Sequence, residues 1–160
     1  MAAGVEIERK YLVSELPAEL ADWPRVRISQ GYLAITGEVE IRLRRSGDRC
    51  SQTIKSLGSL VRRELEIELT AQQLTTLWPA TEGCRLHKTR YRGSWQGLPL
   101  EVDVYEGTLA GLLTAEIEFP SVVASRELVP PPWFGAEITG DPRFKNRNLA
   151  GASQVPELAE

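Results

Sequence analysis

The sequence predicts a mainly β fold with a few short helices, built on a largely antiparallel sheet, and three observations carry that prediction. Eight stretches of strand character follow one another along the chain. Short turn signals join most of them. Within almost every stretch, charged and apolar residues alternate with a period of two, so each strand has one charged and one apolar face. Residues 1–150 are expected to form a single domain, since no repeat, low-complexity tract or linker divides them, and 151–160 a flexible tail. Eight antiparallel strands suffice to close a barrel.

The elements follow in order. Val5 to Val13 reads as the first strand, and a short helix or turn over Ser14 to Trp23 ends at Pro24. Val26 to Ile35 is strand-like, with Gly31 expected at a bulge. Glu38 to Arg45 and Cys50 to Leu57 form a hairpin about Ser46-Gly47-Asp48, and Gly58-Ser59 turns into Val61 to Leu69. Thr70 is placed to cap a helix over Ala71 to Trp78, stopped by Pro79. Strands at Cys84 to Trp95, Leu98 to Tyr105 and Leu112 to Phe119 follow. Ser121 to Leu128 reads as helical, Pro130-Pro131-Pro132 as a stiff connector, and Asp141-Pro142 as the start of a helix reaching Leu149.

Composition excludes several classes. A net charge of −3 argues against broad nucleic-acid binding. No stretch approaches the roughly 20 apolar residues of a membrane span, and the N-terminus lacks a signal-peptide pattern, so a cytoplasmic location is expected. Cys50 and Cys84 make no disulfide framework. His87 is the single histidine, so any metal must be held mainly by oxygen, which favours Mg²⁺ or Mn²⁺ over zinc.

The charges are sorted by parity and by sign. Glu6, Glu8 and Lys10 share a face, as do Glu38, Glu40, Arg42 and Arg44. Lys55 shares its face with Thr53, while Glu64, Glu66 and Glu68 oppose Leu65, Ile67 and Leu69. Lys88, Arg90 and Arg92 lie together, as do Glu101 and Asp103, then Glu116 and Glu118. A solvated sheet face mixes its signs more evenly than this. Parity leaves two arrangements open: charges facing water, or charges lining the interior of a barrel.

Glu6-Ile7-Glu8-Arg9-Lys10-Tyr11-Leu12 resembles the N-terminal ExExK signature of the CYTH superfamily, the triphosphate tunnel metalloenzymes. The similarity continues through Gln30-Gly31-Tyr32-Leu33, Arg42-x-Arg44, Thr53-Ile54-Lys55 and Arg63-Glu64-x-Glu66-x-Glu68. It runs on through Lys88-Thr89-Arg90-Tyr91, Glu101-x-Asp103-x-Tyr105, Ala115-Glu116-x-Glu118-Phe119 and Ile138 to Phe144. The resemblance implies an eight-stranded antiparallel closed barrel, a tunnel with its charges inside. It also implies a triphosphate-containing ligand and a divalent metal.

On that resemblance, Lys10, Arg42, Arg44, Lys55, Lys88 and Arg90 form the phosphate-binding set, arginine gripping oxygens bidentately and lysine acting as a point charge. Glu6, Glu8, Glu116 and Glu118 are the expected metal carboxylates, assisted by Asp103 and by Glu64 or Glu66. Glu8, Glu118 and Lys10 are placed closest to the chemistry, an in-line attack of water on a terminal phosphorus. Arg92, Glu38, Glu40, Glu68 and Glu101 fall nearer the tunnel mouths or in ion pairs, Tyr32 packs or closes the tunnel, His87 is an outer-surface or packing residue, and Lys145 is within reach of a mouth unless it is simply solvated. The implied activity is metal-dependent hydrolysis of inorganic triphosphate to pyrophosphate and phosphate. The same fold serves hydrolysis of nucleoside or thiamine triphosphate and cyclisation of ATP to cyclic AMP, whereas a noncatalytic polyphosphate-binding module could dispense with the carboxylates. An apolar outer face would suit a homodimer.

Overall fold

The computed structural model describes residues 6–56 and 63–158. Nine strands make one antiparallel sheet: β1 (Ile7–Val13), β2 (Arg25–Ile35), β3 (Val39–Ser46), β4 (Arg49–Ser56), β5 (Glu64–Leu69), β6 (Arg85–Trp95), β7 (Leu98–Tyr105), β8 (Leu113–Phe119) and β9 (Phe134–Glu137). Their order across the sheet is β5-β4-β3-β2-β6-β7-β8-β1-β9. The predicted strand ends at Val5, Leu57 and Val61, with the turn at Gly58-Ser59, lie outside the described residues. At the β6–β7 hairpin Gln96 and Gly97 both adopt positive φ, 51° and 77°, as a two-residue turn matched to strand twist requires.

Two details differ from the expectation. The described residues build nine strands, and among them no ladder joins the outer strands β5 and β9 into a closed eight-stranded barrel. The reason is β9: after the triple proline it pairs with β1, taking the edge a closing strand would need. Gly135 permits the approach, since a Cβ there would lie 3.3 Å from the Leu12 carbonyl oxygen. The sheet is still strongly rolled. Lys55 on β4 and Glu8 on β1 are six strands apart, roughly 30 Å if the sheet were flat, yet their charges interact across the concave side.

Short helices cover the outer face. Thr70 and Gln73 form a reciprocal capping box that starts α1 (Ala71–Leu77), and Leu74 packs with Leu43 and Cys50. Both cysteines are free thiols. Ser121 caps α2 (Val122–Arg126). A 3₁₀ turn at Ala18–Asp22 brings Leu20 onto Leu100, Val102, Ala115 and Ile117, with Trp23, Trp95 and Trp133 around the rim. The predicted helix from Pro142 to Leu149 is broken at Lys145, which is extended, into a 3₁₀ turn and α3 (Asn146–Leu149). This C-terminal segment packs Phe144, Leu149 and Ala150 against Tyr32, Leu86 and Tyr105, which share parity with the charged residues, so it fills one end of the concave side. Beyond Gly151, where the sequence suggested a flexible tail, Ala152 and Val155 pack against the same cluster.

Gly31 is not the bulge. Its pairing with Leu43 and Arg85 is in register, and the irregularity falls between Tyr32 and Ala34. Its constraint is proximity, because a Cβ there would lie 2.7 Å from Thr81 Cβ and Oγ1. Gly31→Ala should therefore destabilise the protein by about 1–3 kcal/mol through overpacking, read as a lowered urea midpoint with an unchanged slope.

Candidate active site

The concave face gathers the predicted charges into distinct groups, each set by the register of neighbouring strands. On β3, Arg42 lies opposite Tyr32 of β2 and Thr53 of β4, and Arg44 lies opposite Gln30 and Ser51. Arg42 is only 8% exposed, its Nη2 reaches Thr53 Oγ1 at 3.4 Å, and its Nε has no partner. Arg44 donates from Nε and Nη2 to Gln30 Oε1 at 3.1 and 2.9 Å. Among the described residues neither arginine meets a carboxylate. Burial, then the neighbouring Arg42 and Arg90 charges, push the Arg44 guanidinium down to about 10. A cation depressed in this way would be relieved by an anion.

The second group is a buried cluster. Lys88 is fully buried and donates to Asp103 Oδ2 at 2.7 Å; Arg90 donates from Nε to Oδ1 and from Nη2 to Oδ2, both at 2.8 Å. Arg90 also meets Glu101 at 2.7 Å, and the Lys88 ammonium lies 5.3 Å from the Tyr105 ring centroid. Burial alone would raise the Asp103 carboxyl, but Lys88 and Arg90 hold it well below the usual carboxylate range. Burial lowers Lys88 while Asp103 opposes that shift. A carboxylate chelated by two cations stays ionised, so the ion pair is the state the geometry supports. Asp103, expected to assist at a metal, lies here between Lys88 and Arg90 with both oxygens accepting from them, and its register partners are Arg90 and Thr114.

The third group is acidic. Glu8 pairs in register with Glu118, and Lys10 with Glu116, on β1 and β8. Glu8 is open to solvent, yet the surrounding walls displace enough water to push its carboxyl up to about 7, an effect increased by Glu116 and Glu6 and opposed by Lys10 and Lys55. Lys10 Nζ sits 3.8 Å from Glu116 and donates to the Phe144 carbonyl at 2.8 Å, tying β1 to the C-terminal segment. On the far wall, Lys55 pairs with Glu64 at 3.6 Å, and Glu66 accepts from Thr53 at 3.0 Å.

Several of the residues expected near the mouths or in ion pairs are ion-paired. Arg92 pairs with Glu101, Arg49 with Glu68, and Glu40 with Arg147 of α3. Lys145 is exposed, and His87 lies on the opposite face, its Nδ1 2.9 Å from Ser29 Oγ. A recess lined by Leu69, Thr70, Gln73 and Leu77 lies outside the sheet and gathers no charge. Gln30 and Thr53 were not among the predicted site residues; their sequence signal was membership of the Gln30-Gly31-Tyr32-Leu33 and Thr53-Ile54-Lys55 segments beside Tyr32 and Lys55. Among the described residues no three acidic, histidine or cysteine side chains converge closely enough to hold an ion alone. An oxygen-only donor set with mutually repelling carboxylates still fits Mg²⁺, which takes one or two carboxylates and completes its shell with water and ligand oxygens.

No protein-family model matches the chain. It is 46% identical over 147 residues to an inorganic triphosphatase of Nitrosomonas europaea, covering 91% of this chain and 96% of that protein. It is 34% identical over 149 residues to an inorganic triphosphatase of Acetivibrio thermocellus, covering 91% and 93%. The crystal structure of the inorganic triphosphatase NE1496 superposes with a TM-score of 0.79 at 42% identity, over 94% of this chain and 97% of that one.

Asp103→Asn leaves Lys88 buried without a counter-charge and Arg90 with Glu101 as its remaining partner. It should cost about 3–5 kcal/mol of stability in chemical denaturation near neutral pH. Because the folded-state carboxyl is held low, this contribution is present above the unfolded carboxyl range and is lost as pH falls towards the depressed folded value. The gap between wild type and variant should accordingly narrow in acid.

Proposed function

This chain belongs to the inorganic triphosphatase family, and on that footing we propose that its concave face binds inorganic triphosphate and hydrolyses it to pyrophosphate and phosphate. The observation that carries the reading is the pair Arg42 and Arg44, half-buried or buried, with one guanidinium nitrogen unpartnered and neither in ion-pair contact with a carboxylate among the described residues. Such a charge excess in a low-dielectric wall is costly unless an anion completes it. Arg42 and Arg44 grip phosphate oxygens; Lys10, Lys55, Lys88 and Arg90 add charge around the chain, and Asp103 holds Lys88 and Arg90 in place. The rolled sheet serves as the tunnel, its walls supplied by β1–β8.

Glu6, Glu8, Glu116 and Glu118, with Glu64 or Glu66 facing them, are the residues that would hold Mg²⁺ or Mn²⁺. When bound, the cation supplies charge neutralisation at the phosphates and a more acidic water. Glu8 and Glu118, paired across β1 and β8, are placed to orient the attacking water and accept its proton. Lys10, between Glu116 and the Phe144 carbonyl, steadies that wall and faces the developing charge. Phe144, Leu149 and Tyr105 fill one end of the concave side with packed side chains, so the ligand enters from elsewhere. Leu65 and Ile67, 65% and 58% exposed on the outer face of β5, would be covered in a homodimer.

The test is phosphate release from tripolyphosphate, ATP and thiamine triphosphate with Mg²⁺, Mn²⁺ or EDTA. Expected are EDTA-sensitive turnover of tripolyphosphate, weak turnover of the organic substrates, and a loss of roughly 100-fold or more in kcat/KM for Arg42→Ala and Arg44→Ala. Preferential turnover of an organic triphosphate would replace the substrate. Protection from thermal unfolding by tripolyphosphate without turnover would replace catalysis with binding.

A further inference from the structure

We propose that Gln30 is a positioning residue of this site: its amide fixes the Arg44 guanidinium and dictates the direction in which the Tyr32 hydroxyl donates. The inference rests on the triphosphatase reading above and adds a group that no charge pattern marks. Gln30 is completely buried, at 0% exposure, and lies directly opposite Arg44 in the β2–β3 ladder. Burying a primary amide is costly unless both of its ends are used, and here both are.

The orientation of the amide is forced. A guanidinium has donors only, so the oxygen of Gln30 must face Arg44, where it accepts from Nε at 3.1 Å and from Nη2 at 2.9 Å. The nitrogen end is thereby turned to Tyr32, and Nε2 donates to the phenolic oxygen at 2.8 Å. Tyr32 is the acceptor in that bond, so its own hydrogen is left over, and no protein acceptor takes it among the described residues. Tyr32 lies opposite Arg42 in the same ladder, so Arg42, Arg44 and Tyr32 line one patch of the concave face with donors only. Burial, opposed by Arg42, pushes the phenol up to about 12, so the hydroxyl keeps its hydrogen near neutral pH.

A fully ionised phosphate chain offers acceptors only, and a wall of donors is its complement. Gln30 produces that wall from residues that would otherwise turn inward. A carboxylate at the same position would still hold Arg44. It would also accept the Tyr32 hydrogen, withdrawing that donor from the ligand, and would neutralise the guanidinium.

The experiment is steady-state kinetics with magnesium tripolyphosphate on wild type, Gln30→Met, Gln30→Glu, Arg44→Ala and Gln30→Met combined with Arg44→Ala, with melting temperatures alongside. Gln30→Met, similar in size but without the amide, should raise KM roughly tenfold, the scale of one hydrogen bond to a charged group. Gln30→Glu, which keeps a partner for Arg44, should lose at least as much kcat/KM while melting close to wild type. In the Arg44→Ala background, Gln30→Met should have less than half its single-variant effect on a logarithmic scale, because part of its action runs through Arg44. Wild-type kinetics in both folded single variants would overturn the proposal. Full additivity with Arg44→Ala, or failure of both single variants to fold, would overturn it in favour of a purely structural glutamine. A wild-type protein that neither binds nor turns over tripolyphosphate would sink the underlying reading instead, and this inference with it.

Discussion

Burying charge inside a sheet is the constraint from which the rest of this structure follows. Each strand offers alternate residues to the concave side, and here most of those residues are ionised, at a desolvation cost of several kcal/mol per ion. Where the cost is met within the protein, the result is a rigid unit: Asp103 chelated by Lys88 and Arg90 under the Tyr105 ring. Where it is not met, at Arg42 and Arg44, the remaining charge has the sign and the donor geometry of a phosphate-binding wall.

The same division runs across the sheet. Cations cluster on β3, β4 and β6, acids on β1 and β8, and rolling of the sheet brings the two walls to face each other. Glu8 records the crowding on the acidic wall through its raised pKa. A ligand carrying phosphate oxygens and a divalent cation together would satisfy both walls at once, whereas either component alone would satisfy one. The C-terminal segment limits the length of this channel by filling one end with apolar side chains.

Much of this was legible in the sequence because parity is a local property. Strand positions, the Thr70 cap and the sharing of a face by Arg42 and Arg44 all need only neighbouring residues. Which face was interior could not be read, since alternation looks the same from either side, and family resemblance supplied that answer. β9 escaped notice because Phe134–Glu137 is four residues long with no alternation, and its partner is at the other end of the chain. The commitment of Asp103 depended on register with β6, which spacing within β7 does not reveal. Gln30 was passed over because uncharged side chains carry no parity signal of their own, and Gly31 because close approach to Thr81 is a tertiary fact.

The position of β1 in the sheet has a consequence for how the chain is made. Its neighbours are β8 and β9, and Arg9 closes its fork on Glu137, 128 residues further on. At ordinary rates of synthesis, that partner reaches the first strand roughly 6–25 s after the strand has left the ribosome. Until β8 has been made, Glu6, Glu8 and Lys10 sit on an unpaired amphipathic segment, and such long-range pairing makes for slow folding. The Lys10 ammonium waits longer still, for the carbonyl of Phe144. The acidic face is therefore assembled from two strands far apart in the chain, and a nascent chain interrupted before β8 carries Arg42, Arg44, Lys55, Lys88 and Arg90 but lacks Glu116 and Glu118 to set against them.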